Sequence, residues 1–186
     1  MQKIETDIYL PLFEMKLFKN PKQWYAVYTK SRAEKKVQLE LDFQGIENYL
    51  PLQRTLRKWS DRKKWVDVPL IPGYIFVYIN HTHYDKVLQT SNVVSYVRFE
   101  GKAAIIPDTQ IELIKRMLRQ TDVHIDVQRE AYSKGDCIEV IGGPLIGMKG
   151  ELVEIKGKKR VAVIIDQLKI SLTFELPVNE IRKLND

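Results

Sequence analysis

Along this chain the spacing of hydrophobic residues changes its period several times. From Trp24 to Thr29 the residues are mostly aromatic or β-branched, which predicts a strand. Ser31-Arg32-Ala33-Glu34 has the S-x-x-E spacing of a capping box, in which hydroxyl and carboxylate satisfy the free amides of a first helical turn, so a helix is predicted to start there. Ala33, Val37 and Leu41 recur four apart on one face of that helix, and Gly45 is its stop, because glycine tolerates the left-handed conformation at a helix end. Strands follow at Ile46–Leu52, Tyr74–Ile79 and Val93–Phe99, with a short helix at about 84–90. Pro107-Asp108 opens a last helix that carries Ile111, Ile114, Met117 and Leu118 on one side. Residues 1–21 have no clean period and read as an N-terminal extension.

The order β-α-β-β-α-β with a closing helix predicts an α+β, ferredoxin-like antiparallel sheet over residues 22–120, with helices packed on one face. Residues 121–131 read as a linker, although the alternation of Val123, Ile125 and Val127 also suits a short extended segment. From 132 to 186 the texture changes. Strands are predicted at about 137–141, 149–155, 160–165, 170–176 and 180–184, which suggests a small five-stranded β-barrel of SH3-like size.

Charge sharpens this two-module picture. The net charge is +6, but the first 120 residues carry +7 and the remainder −1. A basic first module favours a polyanionic partner, or is simply a solubility charge. The single cysteine, Cys137, excludes an internal disulfide and a cysteine-cluster metal site; within a barrel strand it reads as a small core residue. No nucleophile elbow, His-Glu-x-x-His or phosphate loop is present, so neither catalysis nor a cofactor or metal is expected. No apolar run is long enough to span a membrane, and Glu5, Asp7 and Pro11 break any signal-peptide pattern, so a cytoplasmic, monomeric protein is expected.

Two sets of motifs point further. Gly135 to Gly150 reads as strand, glycine-rich loop, strand, with Gly142, Gly143, Gly147 and Gly150 freeing the backbone and Pro144 stiffening the tip. This run resembles the KOW motif of NusG and of several ribosomal proteins. In the first module, Trp24-Tyr25-Ala26-Val27-Tyr28, Pro69-Leu70-Ile71-Pro72-Gly73-Tyr74-Ile75-Phe76-Val77 and Val93 to Phe99 occur in the order of the NusG N-terminal (NGN) domain. The chain thus resembles the NusG family of transcription elongation and antitermination factors over residues 22–184. The Val97-Arg98-Phe99 strand end looks closest to specialised paralogs of the RfaH and UpxY type.

The resemblance implies a non-enzymatic factor that suppresses pausing and termination, operon-specific in the paralogs. A general housekeeping NusG and a KOW-bearing ribosomal or RNA-binding protein are the alternatives. It implies an apolar patch of Tyr28, Tyr74, Phe76 and Phe99 that docks on the clamp helices of the largest RNA polymerase subunit. Aromatics suit such an anchor, and equally a domain's own core. His83, beside His81, Thr82 and Tyr84, corresponds loosely to the contact with the gate loop of the second large subunit. The KOW barrel would recruit a ribosomal small-subunit protein or Rho.

Two cationic groups complete the candidate residues. Arg54, Arg57, Lys58, Arg62, Lys63 and Lys64, set against Asp61 alone and interleaved with Trp59 and Trp65, suit a nucleic-acid strand or a solvated hairpin tip. The resemblance places this segment in a hairpin near the non-template DNA strand. Lys30, Arg32, Lys35 and Lys36 surround a predicted helix N-terminus, where they are unfavourable for the helix unless an anion binds; a solvated face is the alternative.

Overall fold

The structure, a computed structural model, describes residues 20–58, 62–120, 124–128, 135–143, 145–155 and 158–184. In the first module, strands β1 (Gln23–Thr29), β2 (Asn48–Tyr49), β5 (Tyr74–Ile79) and β6 (Val93–Tyr96) form an antiparallel sheet in the order β2-β5-β1-β6, and β9 (Ile105–Ile106) also pairs with β1. Helix α1 (Glu34–Phe43) links β1 to β2, helix α2 (Tyr84–Leu88) follows β5, and helix α3 (Asp108–Leu118) closes the module. Strands β3 (Leu52–Lys58) and β4 (Lys63–Pro69) form a separate two-stranded ribbon. A short β7–β8 hairpin (Arg98–Phe99, Lys102–Ala103) interrupts the stretch expected as one strand at Val93–Phe99.

Helices cover both faces of the sheet, not one. Trp24, Ala26, Tyr74 and Phe76 share a core with Ile111, Ile114 and Met117 of α3. Their neighbours Val27, Ile75, Val77 and Ile79 point the other way, into a core with Val37 and Leu41 of α1 and Val87 of α2. Because β1 and β5 are apolar at both parities, each face needs its own cover.

The predicted capping box is not formed. Ala33 is the N-cap and makes no side-chain bond, while Glu34 is buried and its Oε1 accepts the amide of Gly73 at 2.7 Å. The glutamate ties α1 to the turn before β5 instead of capping its own helix. Gly45 does stop α1, at φ +70, with its amide bonded to the Asp42 carbonyl.

The second module is a six-stranded antiparallel sheet, in the order β10-β14-β13-β12-β11-β15. These are β10 (Asp126–Gln128), β11 (Asp136–Val140), β12 (Lys149–Ile155), β13 (Lys158–Ile165), β14 (Ile170–Phe174) and β15 (Ile181–Lys183). β10 comes from the segment expected as a linker: Ile125 is buried, and β10 pairs with β14. Cys137 is exposed, contrary to the core reading, because the alternation of β11 turns Ile138 and Val140 inward instead. Gly150 is required by close approach, since a Cβ there would lie 2.7 Å from the Ala162 carbonyl oxygen.

The modules touch. The Arg116 Nη2 donates to the Ile146 carbonyl at 2.9 Å, and β7 lies against the 3-10 turn Asp166–Leu168. The buried cluster under α3 runs on to Leu145, Met148 and Leu168 of the barrel.

Candidate functional site

Most of the sequence-predicted residues gather at one end of the first sheet. Tyr28 is opposite Tyr74 in the β1–β5 register; the Tyr74 hydroxyl donates to the Tyr28 hydroxyl at 3.0 Å, with ring centroids 4.7 Å apart. Tyr28 is 37% exposed and Tyr74 only 4%, so Tyr28 is the surface member and Tyr74 its support. Phe76 is fully buried, stacked on Tyr49 at 6.4 Å and packed with the α3 core. Expected as a member of a docking patch, it is core here: it has the parity of Tyr74 but lies two residues deeper under the helix. Phe99 is half-buried, packed against that same core on the β7–β8 hairpin, which borders the barrel.

The same end carries the cations. Thr29 donates its amide to the Gly73 carbonyl and Lys30 its amide to the Asn92 carbonyl, which fixes the exit of β1 between the starts of β5 and β6. Lys30, Arg32, Lys35 and Lys36 are all exposed around the start of α1, with Arg32 in the left-handed region at φ 60. Lys35 Nζ donates to the Asp67 carbonyl at 2.7 Å, which joins this group to the root of the ribbon. In the ribbon, Arg54, Arg57, Lys58, Arg62, Lys63 and Lys64 are all exposed. Trp59 and Asp61 lie outside the described residues.

His83 does not join them. It sits past the far end of β5, roughly 20 Å away at ~3.3 Å per strand residue. It is exposed, with Nδ1 at 2.8 Å from Asn80 Oδ1 and 3.2 Å from Thr82 Oγ1. Among the described residues no cluster of His, Cys, Asp or Glu could hold a metal ion, and no helix is long and apolar enough to cross a membrane.

A further feature carries no motif in the sequence. Tyr49, Leu50 and Leu52 line an open groove of about 390 Å³ with Lys115, Leu118 and Arg119 of α3. Lys115 Nζ is 5.5 Å from the Tyr49 ring centroid and 5.6 Å from that of Trp24, and it pairs with Glu112 at 2.7 Å. Burial, then the Glu112 charge, pushes the Tyr49 hydroxyl up to about 12, so it is a neutral donor at pH 7. The available signal was the i, i+4 spacing of Lys115 and Arg119, which puts both cations on one helix face.

In the barrel, the loop between β11 and β12 is closed by the Val140 amide on the Met148 carbonyl and the Gly147 amide on the Val140 carbonyl, both at 2.8 Å. Gly143 (φ +69) and Gly147 (φ +79) take the left-handed conformation that closure needs. Gly142 packs against the Glu180 side chain, and Pro144 lies outside the described residues.

Comparison with known proteins identifies relatives of this chain. The family model described as transcription termination factor NusG matches residues 22–115. The chain is 26% identical to the transcription termination/antitermination protein NusG of Bacillus subtilis over 182 residues, covering 88% of this chain and 99% of that one. It is 25% identical to the NusG of Staphylococcus carnosus over 180 residues, covering 88% and 96%. The solved structure of Thermotoga maritima NusG superposes with a TM-score of 0.54 at 24% identity, covering 88% of this chain and 98% of that one. With its family model, its relatives and its fold in agreement, the chain belongs to the NusG family of transcription termination and antitermination factors, which act with RNA polymerase.

Proposed function

We propose that this chain binds the clamp helices of the largest RNA polymerase subunit through the Tyr28 end of its first module. The supporting observation is the gathering, at that one end, of an exposed tyrosine backed by a buried one, an exposed basic helix start and the root of a basic ribbon. Tyr28 offers apolar area with a polar edge, as interface anchors do. Tyr74 holds it in place, and Phe99, half-buried on the β7–β8 hairpin, is the further member of the proposed patch. The ribbon and the Lys30–Lys36 cations face the exposed non-template DNA strand, while His83, at the opposite end of the sheet, reaches the gate loop of the second large subunit. A module held at both ends favours the closed, elongating state, because that state binds it better; pausing and termination fall accordingly.

The barrel recruits a second partner, a ribosomal small-subunit protein or Rho, at the high effective concentration a short tether gives. Action at one or a few operons is the reading taken from the Val97-Arg98-Phe99 strand end. The relatives' general name favours a housekeeping factor as the second reading. Genome-wide polymerase occupancy after deletion separates them: a change at a few operons supports the specialist, a global change the housekeeper.

The test of the docking face is affinity for core polymerase. Tyr28→Ala should weaken binding about tenfold or more with the fold intact, as loss of an interface anchor does. Unchanged affinity would remove Tyr28 from the interface.

A further inference from the structure

Ile71-Pro72-Gly73-Tyr74 form the turn that starts β5. The Tyr74 amide donates to the Ile71 carbonyl at 3.3 Å, proline holds the second position, and Gly73 holds the third at φ +83. These are the marks of a type II turn, whose third residue needs a positive φ that glycine supplies. The peptide joining Pro72 to Gly73 is the free part of such a turn. Turning that peptide over converts type II into type I and reverses the direction of the Gly73 amide.

The turn does not use the Gly73 amide, and the start of α1 takes it. Glu34 Oε1 accepts it at 2.7 Å, and Glu34 is only 5% exposed. The flipped, type I peptide would turn this amide away and leave a buried carboxylate oxygen without its donor, so Glu34 selects type II. On the other side, the Gly73 carbonyl accepts the Thr29 amide at 2.9 Å, which holds Gly73 between α1 and β1. The next residue of α1 grips the other end of the same segment, since Lys35 Nζ donates to the Asp67 carbonyl at 2.7 Å. Between the two grips, the Leu70 amide donates to the Pro51 carbonyl at 2.8 Å. Adjacent residues of α1 thus clamp both ends of residues 67–73. The clamp stops one residue short of Tyr74, whose hydroxyl donates to that of Tyr28 at 3.0 Å.

We propose that Glu34 is a positioning residue of the docking face. By fixing the peptide between Pro72 and Gly73, it holds the Tyr74 hydroxyl under Tyr28 in the arrangement that meets the polymerase. This rests on the reading of Tyr28 as the anchor, and adds the residue that preorganises it. Without the Glu34 bond the peptide samples both turn types and the start of β5 loosens. Tyr28 must then be ordered on binding, at a cost in affinity. What matters at position 34 is an accepting oxygen at the right reach, not the negative charge.

The test measures the affinity of the full chain for core polymerase, together with hydrogen exchange at the Gly73 amide. Glu34→Ala should weaken binding about fivefold and speed that exchange. Glu34→Gln keeps an accepting oxygen at the same reach, so its affinity should stay within about twofold of wild type. Glu34→Asp keeps the charge but is one methylene short, and should lose as much as Glu34→Ala; it also serves if the alanine variant does not fold. Val37→Ala, in the same helix and buried in the core under it, lowers stability without touching the turn, and should bind within about twofold of wild type. Equal losses in Glu34→Ala and Val37→Ala would overturn the proposal. So would wild-type affinity in Glu34→Ala or Glu34→Asp, or a loss in Glu34→Gln as large as that in Glu34→Ala. Tyr28→Ala is measured in parallel. Its loss of binding beside an unaffected Glu34→Ala removes Glu34 alone, whereas wild-type affinity in Tyr28→Ala removes the anchor and its support together.

Discussion

The ribbon and the barrel are both antiparallel β-structure rich in charge, and they dispose of that charge in opposite ways. In the barrel three strand cations meet acids: Arg160 binds Asp126 and Glu175, Arg182 binds Glu139 at 2.7 Å, and Lys183 binds Asp136 at 2.5 Å. In the ribbon, Lys58 faces Lys63 and Arg57 faces Lys64. Those three barrel cations are thus committed to their own fold, whereas Arg57, Lys58, Lys63 and Lys64 of the ribbon are set against one another at the surface. Net charge separates the modules only by sign; cross-strand pairing separates cations that stabilise from cations available to a ligand.

The comparison can be broken first on the barrel side. Arg160 has a side chain only 18% exposed, and removing it strands two carboxylates. Arg160→Ala should lower unfolding stability by about 1–2 kcal/mol in denaturant titration, between the surface and buried limits for ion pairs. A loss under a few tenths of a kcal/mol would make the barrel pairs as idle as the ribbon's cations.

The groove at the ribbon root gives an intermediate effect. Tyr49 has its folded pKa raised to about 12 from 10.0. Between those values the unfolded chain has lost the proton and the native state keeps it, so stability falls as pH rises from 10 towards 12. Tyr49→Phe should remove that part of the alkaline loss, at most about 2 kcal/mol by pH 12 and less for the ring's partial exposure. Identical alkaline unfolding curves for the two proteins would show that burial does not hold this proton.

The smallest effect on stability belongs to the ribbon. Lys58→Ala with Lys63→Ala should change stability by no more than about 0.5 kcal/mol, and in the stabilising direction, since a repulsive pair is removed. The same variant should flatten the dependence of log K on log salt for single-stranded DNA by roughly 1.4, about 0.7 for each phosphate no longer neutralised. An unaltered slope would return the tip to an ordinary solvated turn.

Much of this architecture is legible in the sequence. Aromatic and β-branched runs locate β1 and β5, four-residue apolar spacing locates α1, and Gly45 ends α1 as its φ +70 requires. Long-range partners are not legible. Glu34 leaves its helix end for the Gly73 amide 39 residues away, so the local capping signal misleads. Cover on both faces follows from two interleaved parities in β1 and β5, which a one-face motif hides. Cationic composition marks the ribbon correctly as exposed, but which cations face one another follows from the β3–β4 register, which composition does not set. Phe76 and Tyr74 have similar aromatic chemistry, the same parity and the same core; only their depth along β5 lets the Tyr74 hydroxyl reach the exposed Tyr28 while Phe76 reaches nothing at the surface.

Binding to transcription elongation complexes tests the central claim most directly. Complexes assembled with a single-stranded non-template segment should bind the full chain about tenfold tighter than complexes whose non-template strand is missing from the bubble, and that difference should shrink at high salt. Equal affinity for both, or no affinity for either, would contradict it.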